Sequence, residues 1–205
     1  MRLFVEHETH YRYAEPANHS VQYLRLTPRN DPCQRVLSWT VNSSSRLTPW
    51  VDGFENPAHI ATEEYPHEEV LVTVRGEVET WDTTGVLPAD DGLPPLIFLR
   101  QTPFTAVTKA IRGLVGRSAK VLNDDGKLAA MHDLMTRIAE NVHYETGFTN
   151  VETDADHALK QGVGVCQDHA HLFIASARVL GVPARYVSGY ILAGSGNQSH
   201  LASHA

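Results

Sequence analysis

The stretch GVGVCQDHAHLF at residues 162–173, with LGVPARYVSGY at residues 180–190, decides the fold of this chain. Apolar residues recur at helical spacing between Cys166 and Leu180, which predicts a helix over this range. Gly181 and Pro183 follow at once, and both residue types commonly end helices. Residues 184–192 then predict a strand. The segment therefore combines a helix that begins near Cys166 with a strand directly after it.

Cys166 is the best candidate in this segment for a reactive residue, because it stands at the predicted start of the helix. The first N–H groups of a helix lack intrahelical acceptors, and the helix dipole is positive at that end. Both effects favour a thiolate, and a nearby imidazolium would add to them. The same N–H groups could bind the oxyanion formed when a thiolate attacks an acyl carbon. A cysteine that packs as a small apolar residue is the alternative interpretation.

The order of nucleophile, helix and Pro-Ala-Arg-Tyr-Val-Ser-Gly-Tyr strand resembles the core of the bacterial transglutaminase-like superfamily. Members of this superfamily include cysteine peptidases with a Cys-His-Asp catalytic triad on a papain-like α+β core. The resemblance implies that Cys166 is the nucleophile. It also implies that His204, which stands in a Ser-His-Ala sequence like that of the family, is the catalytic histidine.

The aspartate of the family triad lies on a later strand, and no residue of this chain matches it. Neither Asp154 nor Asp168 is assigned to that position. The third residue of such a triad orients the imidazole, and its loss in serine proteases reduces turnover by about 10⁴. We therefore expect a core that is truncated at its C-terminal end, with weak or no turnover in this form.

The first hundred residues show a different pattern, in which apolar and polar side chains alternate along residues 3–13, 37–41 and 70–78. Alternation with a period of two predicts half-buried strands, and the turn-rich stretches between them favour an antiparallel β-sandwich. A change of phase near Gly76 predicts a β-bulge. This half is similar to the β-sandwich domain that often precedes the transglutaminase-like core in bacterial proteins.

A passage rich in Pro, Gly and Asp at residues 87–95 is the best candidate for a domain boundary. We therefore expect an α+β protein with a β-sandwich domain at residues 1–100 and a transglutaminase-like core at residues 101–205. Within the core, capping residues at 123–126 predict a helix that carries residues 128–142. A shorter helix is expected from Thr153 or Asp154 to Gly162.

Composition excludes several classes of function. The 205 residues include 17 Lys and Arg, which are scattered, against 24 Asp and Glu, giving a net charge of −7. A nucleic-acid partner is not expected, because such proteins concentrate basic residues in a patch. No apolar run approaches the roughly 20 residues of a membrane span, and the N-terminus does not resemble a signal peptide. We expect a cytoplasmic protein without membrane contact.

No metal or cofactor is expected, although 12 histidines are many for this length. His169 and His171 are two residues apart on the predicted helix, so their rings point in different directions. A zinc site that combines His200 and His204 with Cys166 lacks the paired thiolates of structural sites. A glycine pattern for dinucleotides is also incomplete, because its third glycine is absent.

Three residues near the nucleophile have two possible roles each. His169 lies one helical turn after Cys166, where it could reach the thiol, although a packing or surface role is favoured. Tyr186 and Tyr190 could line an acyl-binding site, although packing in the core is favoured for both.

These observations support two functional hypotheses. In the first, Cys166 attacks a peptide or glutamine-type amide in a peptide or protein substrate, and His204 acts as base and then as acid. Water would resolve the thioester in a peptidase or amidase, and an amine would resolve it in a transglutaminase. In the alternative, the protein is a non-catalytic interaction module whose truncated core is a scaffold. The oligomeric state stays open.

Overall fold

The computed structural model describes residues 1–87, 92–193 and 200–204, with side chains described as far as Leu192. The chain divides into two compact units, Met1–Gly92 and Leu93–Ala205. Among the described residues, every α-helix lies in the second unit.

As far as the structure describes the first unit, six strands form two three-stranded antiparallel sheets, with strand orders β1-β6-β3 and β2-β5-β4. Val70 and Val72 of one sheet pack with Leu24 and Ala61 of the other in a buried cluster. The predicted antiparallel β-sandwich is confirmed. The strands are β1 (Arg2–Ala17), β2 (Ser20–Leu24), β3 (Gln34–Ser43), β4 (Arg46–Val51), β5 (Pro57–Glu63) and β6 (His67–Thr80).

The β-bulge predicted at Gly76 is wrong. Strand β6 keeps its phase through this residue, and the register shift lies on β3, between Val36 and Ser38. A Cβ at Gly76 would lie 2.1 Å from Cε3 of Trp39. The glycine therefore makes room for the indole, whose N–H donates to the carbonyl of Leu26 at 2.9 Å.

The described residues of the second unit form five α-helices and four short strands. The helices are α1 (Lys109–Leu114), α2 (Gly116–Asp124), α3 (Lys127–Asn141), α4 (Ala155–Gln161) and α5 (Cys166–Val179). The strands are β7 (His143–Tyr144), β8 (Val163–Gly164), β9 (Gly189–Ala193) and β10 (His200–His204), and two 3-10 turns at Pro95–Leu99 and Pro103–Thr105 precede the helices. Helix α5 contributes the fully buried Leu172 and Ala175 to a core that includes Ile111, Leu134 and Ile138.

The two helices predicted on either side of Gly164 form as expected. The Asp154 side chain caps α4 by accepting from the His157 amide at 2.8 Å, and Gly162 ends it with a φ of 72°. Gly181, with a φ of 71°, follows the end of α5. By contrast, α3 has no side-chain cap: its N-cap is Gly126, because Asn123 and Asp124 complete α2 and Asp125 is the C-cap of that helix.

The strand predicted over residues 184–192 is shorter than expected, because β9 begins only at Gly189. The backbone of Ala184 bonds elsewhere: its N–H donates to the Phe98 carbonyl at 3.2 Å, and its own carbonyl accepts from Arg178. Strand β9 then pairs with β10 in antiparallel register. In the described ranges, no helix is both long and apolar enough to cross a membrane.

Candidate active site

Cys166 is the first residue of α5, as the sequence predicts. The preceding residue, Val165, is extended, with φ and ψ of −107° and −176°. The chain thus turns sharply into the helix at the cysteine. The thiol is free and the residue is partly exposed, so it is not sealed in the core. Amide groups in the first helical turn lack intrahelical acceptors, which leaves donors beside the sulfur.

A buried carboxylate holds this turn. Asp168 is 1 % exposed, and its Oδ2 accepts from the Val165 amide and from the Thr149 hydroxyl, both at 2.7 Å. A Cβ at Gly164 would lie 2.8 Å from this Oδ2, so the glycine permits the close approach. Asp168 therefore binds the backbone at the residue just before Cys166.

A two-stranded parallel pair fixes the other side of the turn. The His143 amide donates to the Gly162 carbonyl at 2.8 Å, and the Glu145 amide donates to the Gly164 carbonyl at 3.0 Å. The two short strands β7 and β8 therefore tie the end of α3 to the residues that lead into Cys166.

The His169 ring lies against the same backbone. Its Nδ1 is 2.9 Å from the Val165 carbonyl oxygen, and its Nε2 is 2.9 Å from the Val142 carbonyl oxygen. The ring also stacks on Tyr144, with centroids 6.2 Å apart. Each ring nitrogen of His169 therefore lies at hydrogen-bond distance from a backbone carbonyl oxygen.

The His171 ring occupies a different environment. It lies between Phe104 and Tyr186, with ring centroids 5.2 Å and 5.4 Å away, and the residue is 8 % exposed. Burial lowers the pKa of His171, which favours the neutral imidazole. Its Nδ1 has no hydrogen-bond partner among the described residues. Throughout the described ranges, no three Cys, His, Asp or Glu side chains are grouped as a metal site.

Cys166 opens onto a largely apolar cavity of about 510 Å³. The walls come from α3, α5 and the segment after α5. The lining residues are Met135, Ile138, Ala139, Cys166, His169, Ala170, Phe173, Ile174, Arg185, Tyr186 and Val187.

Tyr186 lines this cavity, whereas the sequence favours a packing role for it. Burial raises the pKa of Tyr186, and the nearby charges of Cys166 and Asp168 add to the effect. Burial also raises the pKa of Tyr190, which lies on β9 outside the cavity lining.

The candidate catalytic histidine, His204, lies at the end of β10. Its backbone pairs with Gly189 of β9, the strand that follows α5. The side chains of His204 and of His200 lie outside the described part of the chain. The pairing of His204 with Cys166 therefore stays a prediction.

Sequence reasoning missed the interaction of Asp168 with the start of the helix. The signal was available, because an acidic residue three positions after the N-cap commonly accepts from the N-cap amide. The role of Met135 and Ile138 in the cavity had no comparable signal, since these residues come from a separate helix and lie in an ordinary apolar stripe.

Comparison with known proteins identifies the family. The model of the bacterial transglutaminase-like N-terminal region matches residues 3–79, and that of the transglutaminase-like superfamily matches residues 116–205. An uncharacterized protein of Mycobacterium leprae is 31 % identical over 204 residues, covering 93 % of this chain and 71 % of the relative. The chain belongs to the bacterial transglutaminase-like superfamily.

Other relatives agree with this assignment. An uncharacterized protein of Mycobacterium tuberculosis is 30 % identical over 213 residues, which cover 93 % of this transglutaminase-like chain. The chain spans 66 % of that relative. A crystal structure from Cytophaga hutchinsonii, described as "a Putative Cysteine Protease", superimposes with a TM-score of 0.71 at 18 % identity. The superposition covers 98 % of this chain and 74 % of the Cytophaga hutchinsonii chain. This likeness confirms the predicted fold class.

Proposed function

We propose that this chain carries the nucleophile of a cysteine-dependent enzyme that transfers or hydrolyses acyl groups of peptide or glutamine-type amides. The observation that carries the proposal is the position of Cys166, a partly exposed thiol at the first residue of α5 on the wall of a cavity. A helix N-terminus favours thiolate and offers amide donors to an oxyanion. Membership of the transglutaminase-like superfamily supports the same role.

Acylation begins when His204 takes the proton of the Cys166 thiol. The thiolate then attacks the amide carbon, a C–S bond forms, and the carbonyl oxygen becomes an oxyanion. The amides of Cys166 and Gln167, in the first turn of α5, lack intrahelical acceptors and would donate to this charge. As the C–N bond breaks, His204 gives its proton to the leaving amine, and a thioester remains.

Deacylation determines the class of enzyme. His204 takes a proton from water or from an amine as that molecule attacks the thioester, and the sulfur leaves as the thiolate. Water gives a peptidase or amidase, and an amine gives a transglutaminase. The cavity offers apolar walls such as Phe173 and Met135 to the aliphatic part of a peptide or protein substrate.

The test compares the two cysteines of the chain. A hydrogen bond to Asp31 raises the pKa of Cys33, so that thiol reacts slowly at neutral pH. We expect iodoacetamide to label Cys166 first, with a pH midpoint below the value of about 8.5 for a free thiol. Mass spectrometry of the digested protein measures both rates in one sample. A midpoint for Cys166 at or above that of a free thiol contradicts the proposal.

An activated ester or amide substrate distinguishes the enzyme from the non-catalytic interaction module, because only the enzyme should become acylated at Cys166. A nucleophilic Cys166 forms a thioester that mass spectrometry detects and hydroxylamine removes, and Cys166→Ser does not form it. A folded protein that never acylates Cys166 would favour the interaction module.

A further inference from the structure

The two hydrogen bonds of the His169 ring have a consequence for its charge. A carbonyl oxygen only accepts hydrogen bonds, and a neutral imidazole carries an N–H on one nitrogen only. The contacts to Val165 and Val142, both 2.9 Å long, are therefore hydrogen bonds at the same time only in the imidazolium form.

The surroundings hold the ring in this orientation. Val142 is 1 % exposed, and its amide donates to the Ile138 carbonyl at 2.9 Å at the end of α3. Val165 is held by Asp168 on the other side. Because both carbonyls belong to fixed backbone, a neutral ring would keep one nitrogen lone pair facing an oxygen lone pair. Charge removes that repulsion.

The ring lies close to the nucleophile. Residues three apart on a helix have Cβ atoms about 5–6 Å apart, and Cys166 and His169 line the same cavity. On their own helix the other charged neighbour is Asp168, whose Oδ2 is taken up by Val165 and Thr149. Among the other cavity residues, Arg185 stands over the Phe98 ring at 5.2 Å, and Tyr186 adds its hydroxyl.

Two other elements also face the ring. Helix α3 presents only the uncharged Met135, Ile138 and Ala139 to the cavity, and β7 presents the Tyr144 ring.

We propose that His169 is a fixed imidazolium that stabilises the Cys166 thiolate and draws anionic reactants to it. It is a positioning residue, because both of its nitrogens are bound by the backbone and it passes no proton. This role is separate from the proton transfer proposed for His204, and it rests on the proposed function of Cys166 as a nucleophile.

The test uses Cys33→Ser protein, so that one thiol remains, and adds His169→Gln. Glutamine keeps an N–H donor for the carbonyls but has no charge. His157→Gln is the matched control, because His157 is exposed on α4. Alkylation is followed from pH 5 to 9 with neutral iodoacetamide and with anionic iodoacetate.

A unit charge one helical turn from Cys166, on the wall of the same cavity, gives a large expected effect. In His169→Gln the iodoacetamide rate at pH 6 should fall about tenfold, which corresponds to a midpoint about one pH unit higher. The rate ratio of iodoacetate to iodoacetamide at saturating pH should fall about threefold. His157→Gln should change neither value, and His169→Arg, which restores a charge, should recover the ratio.

The outcomes separate this inference from the proposed function. If His169→Gln leaves the pH midpoint of alkylation and the rate ratio unchanged, the role of His169 is overturned. If that midpoint is low in both the parent and the His169→Gln protein, Cys166 is still supported as the nucleophile. An ordinary free-thiol midpoint in the parent protein refutes the nucleophile itself. If His169→Gln does not fold, nitrogen NMR of the parent protein provides the test. We expect both ring nitrogens of His169 to be protonated at pH 7. A single protonated ring nitrogen would overturn the inference.

Discussion

Replacement of Gly164 by alanine tests the contacts that hold the backbone just before Cys166. Gly164 lies in β8, is buried, and accepts from the Glu145 amide at 3.0 Å. A Cβ there would meet both Cβ and Oδ2 of Asp168 at 2.8 Å. Ordinary van der Waals contact begins at 3.4 Å, so Asp168 would have to retreat by about 0.6 Å, the difference between 3.4 and 2.8 Å.

A shift of Asp168 would lengthen hydrogen bonds that are already short. The Asp168 carboxylate is 2.7 Å from the Val165 nitrogen and 2.7 Å from the Thr149 hydroxyl. Hydrogen bonds to a charged group contribute about 1.5–3 kcal/mol each, and overpacking costs about 1–3 kcal/mol. If one of the two bonds is lost, we expect Gly164→Ala to destabilise the second unit by about 3 kcal/mol.

The distribution of chromophores lets each unit be followed separately. The three tryptophans, at positions 39, 50 and 81, all lie in the first unit, whereas the described α-helices lie in the second. Circular dichroism at 222 nm in urea therefore reports mainly on the second unit, and tryptophan fluorescence on the first. Gly164→Ala should lower the midpoint at 222 nm and leave the fluorescence transition unchanged.

A matched control is available within the same unit. Gly113 lies in α1, and a Cβ there would meet nothing within 4 Å. Alanine in a helix is favoured over glycine by up to about 1 kcal/mol, so Gly113→Ala should raise the midpoint at 222 nm. If Gly164→Ala unfolds at the same urea concentration as the parent protein, the close approach of Asp168 does not hold the turn.

Two further substitutions test a buried and a half-buried charge. Burial alone would raise the pKa of Asp52, but hydrogen bonds from Asn56, Arg25 and nearby backbone amides outweigh it and hold that pKa well below its usual value. The stability that this carboxylate contributes is present above the unfolded pKa of about 3.9 and is lost as the pH falls further. In the parent protein, the urea midpoint of the tryptophan fluorescence transition should therefore fall between pH 6 and pH 2.5, and Asp52→Asn should make this fall smaller. A fall of the same size in both proteins would contradict this prediction. Arg178 donates to the carbonyls of Phe98 and Ala184 at 2.7 Å and 2.8 Å. Lysine lacks the planar guanidinium, so Arg178→Lys should destabilise the second unit by about 2 kcal/mol, measured by circular dichroism at 222 nm in urea. A variant as stable as the parent protein would show that these bonds are dispensable.

The parts of the fold that the sequence predicts are those whose signals are local. Helix α5 was predicted to begin near Cys166 and end before Gly181, because an apolar repeat and a terminating glycine stand in the same twenty residues. Helix α4 was predicted by the cap at Asp154 in the same way. The alternating strands of the first unit also followed from their period of two.

The parts that the sequence does not predict depend on contacts between distant residues. Gly76 looked like a bulge because its function, to admit the ring of Trp39, involves another strand. Helices α1 and α2 are short and follow each other across a single residue, Val115, so neither gives a long periodic signal. The Nε2 of His169 binds the carbonyl of Val142, which is 27 residues earlier in the chain. No local pattern reports such a contact.

The charges around Cys166 explain why the histidine beside it matters. The carboxylate of Asp168 is needed to hold the turn, yet a negative charge near a sulfur disfavours the thiolate. At an effective dielectric constant of 20, two unit charges about 6 Å apart interact by about 3 kcal/mol, whereas the helix dipole contributes about 0.3–1 kcal/mol at an exposed end. A single unit charge at such a distance therefore outweighs the helix dipole. A positive charge at His169, three residues after Cys166 on the same helix and on the wall of the same cavity, has the sign that the proposed thiolate requires.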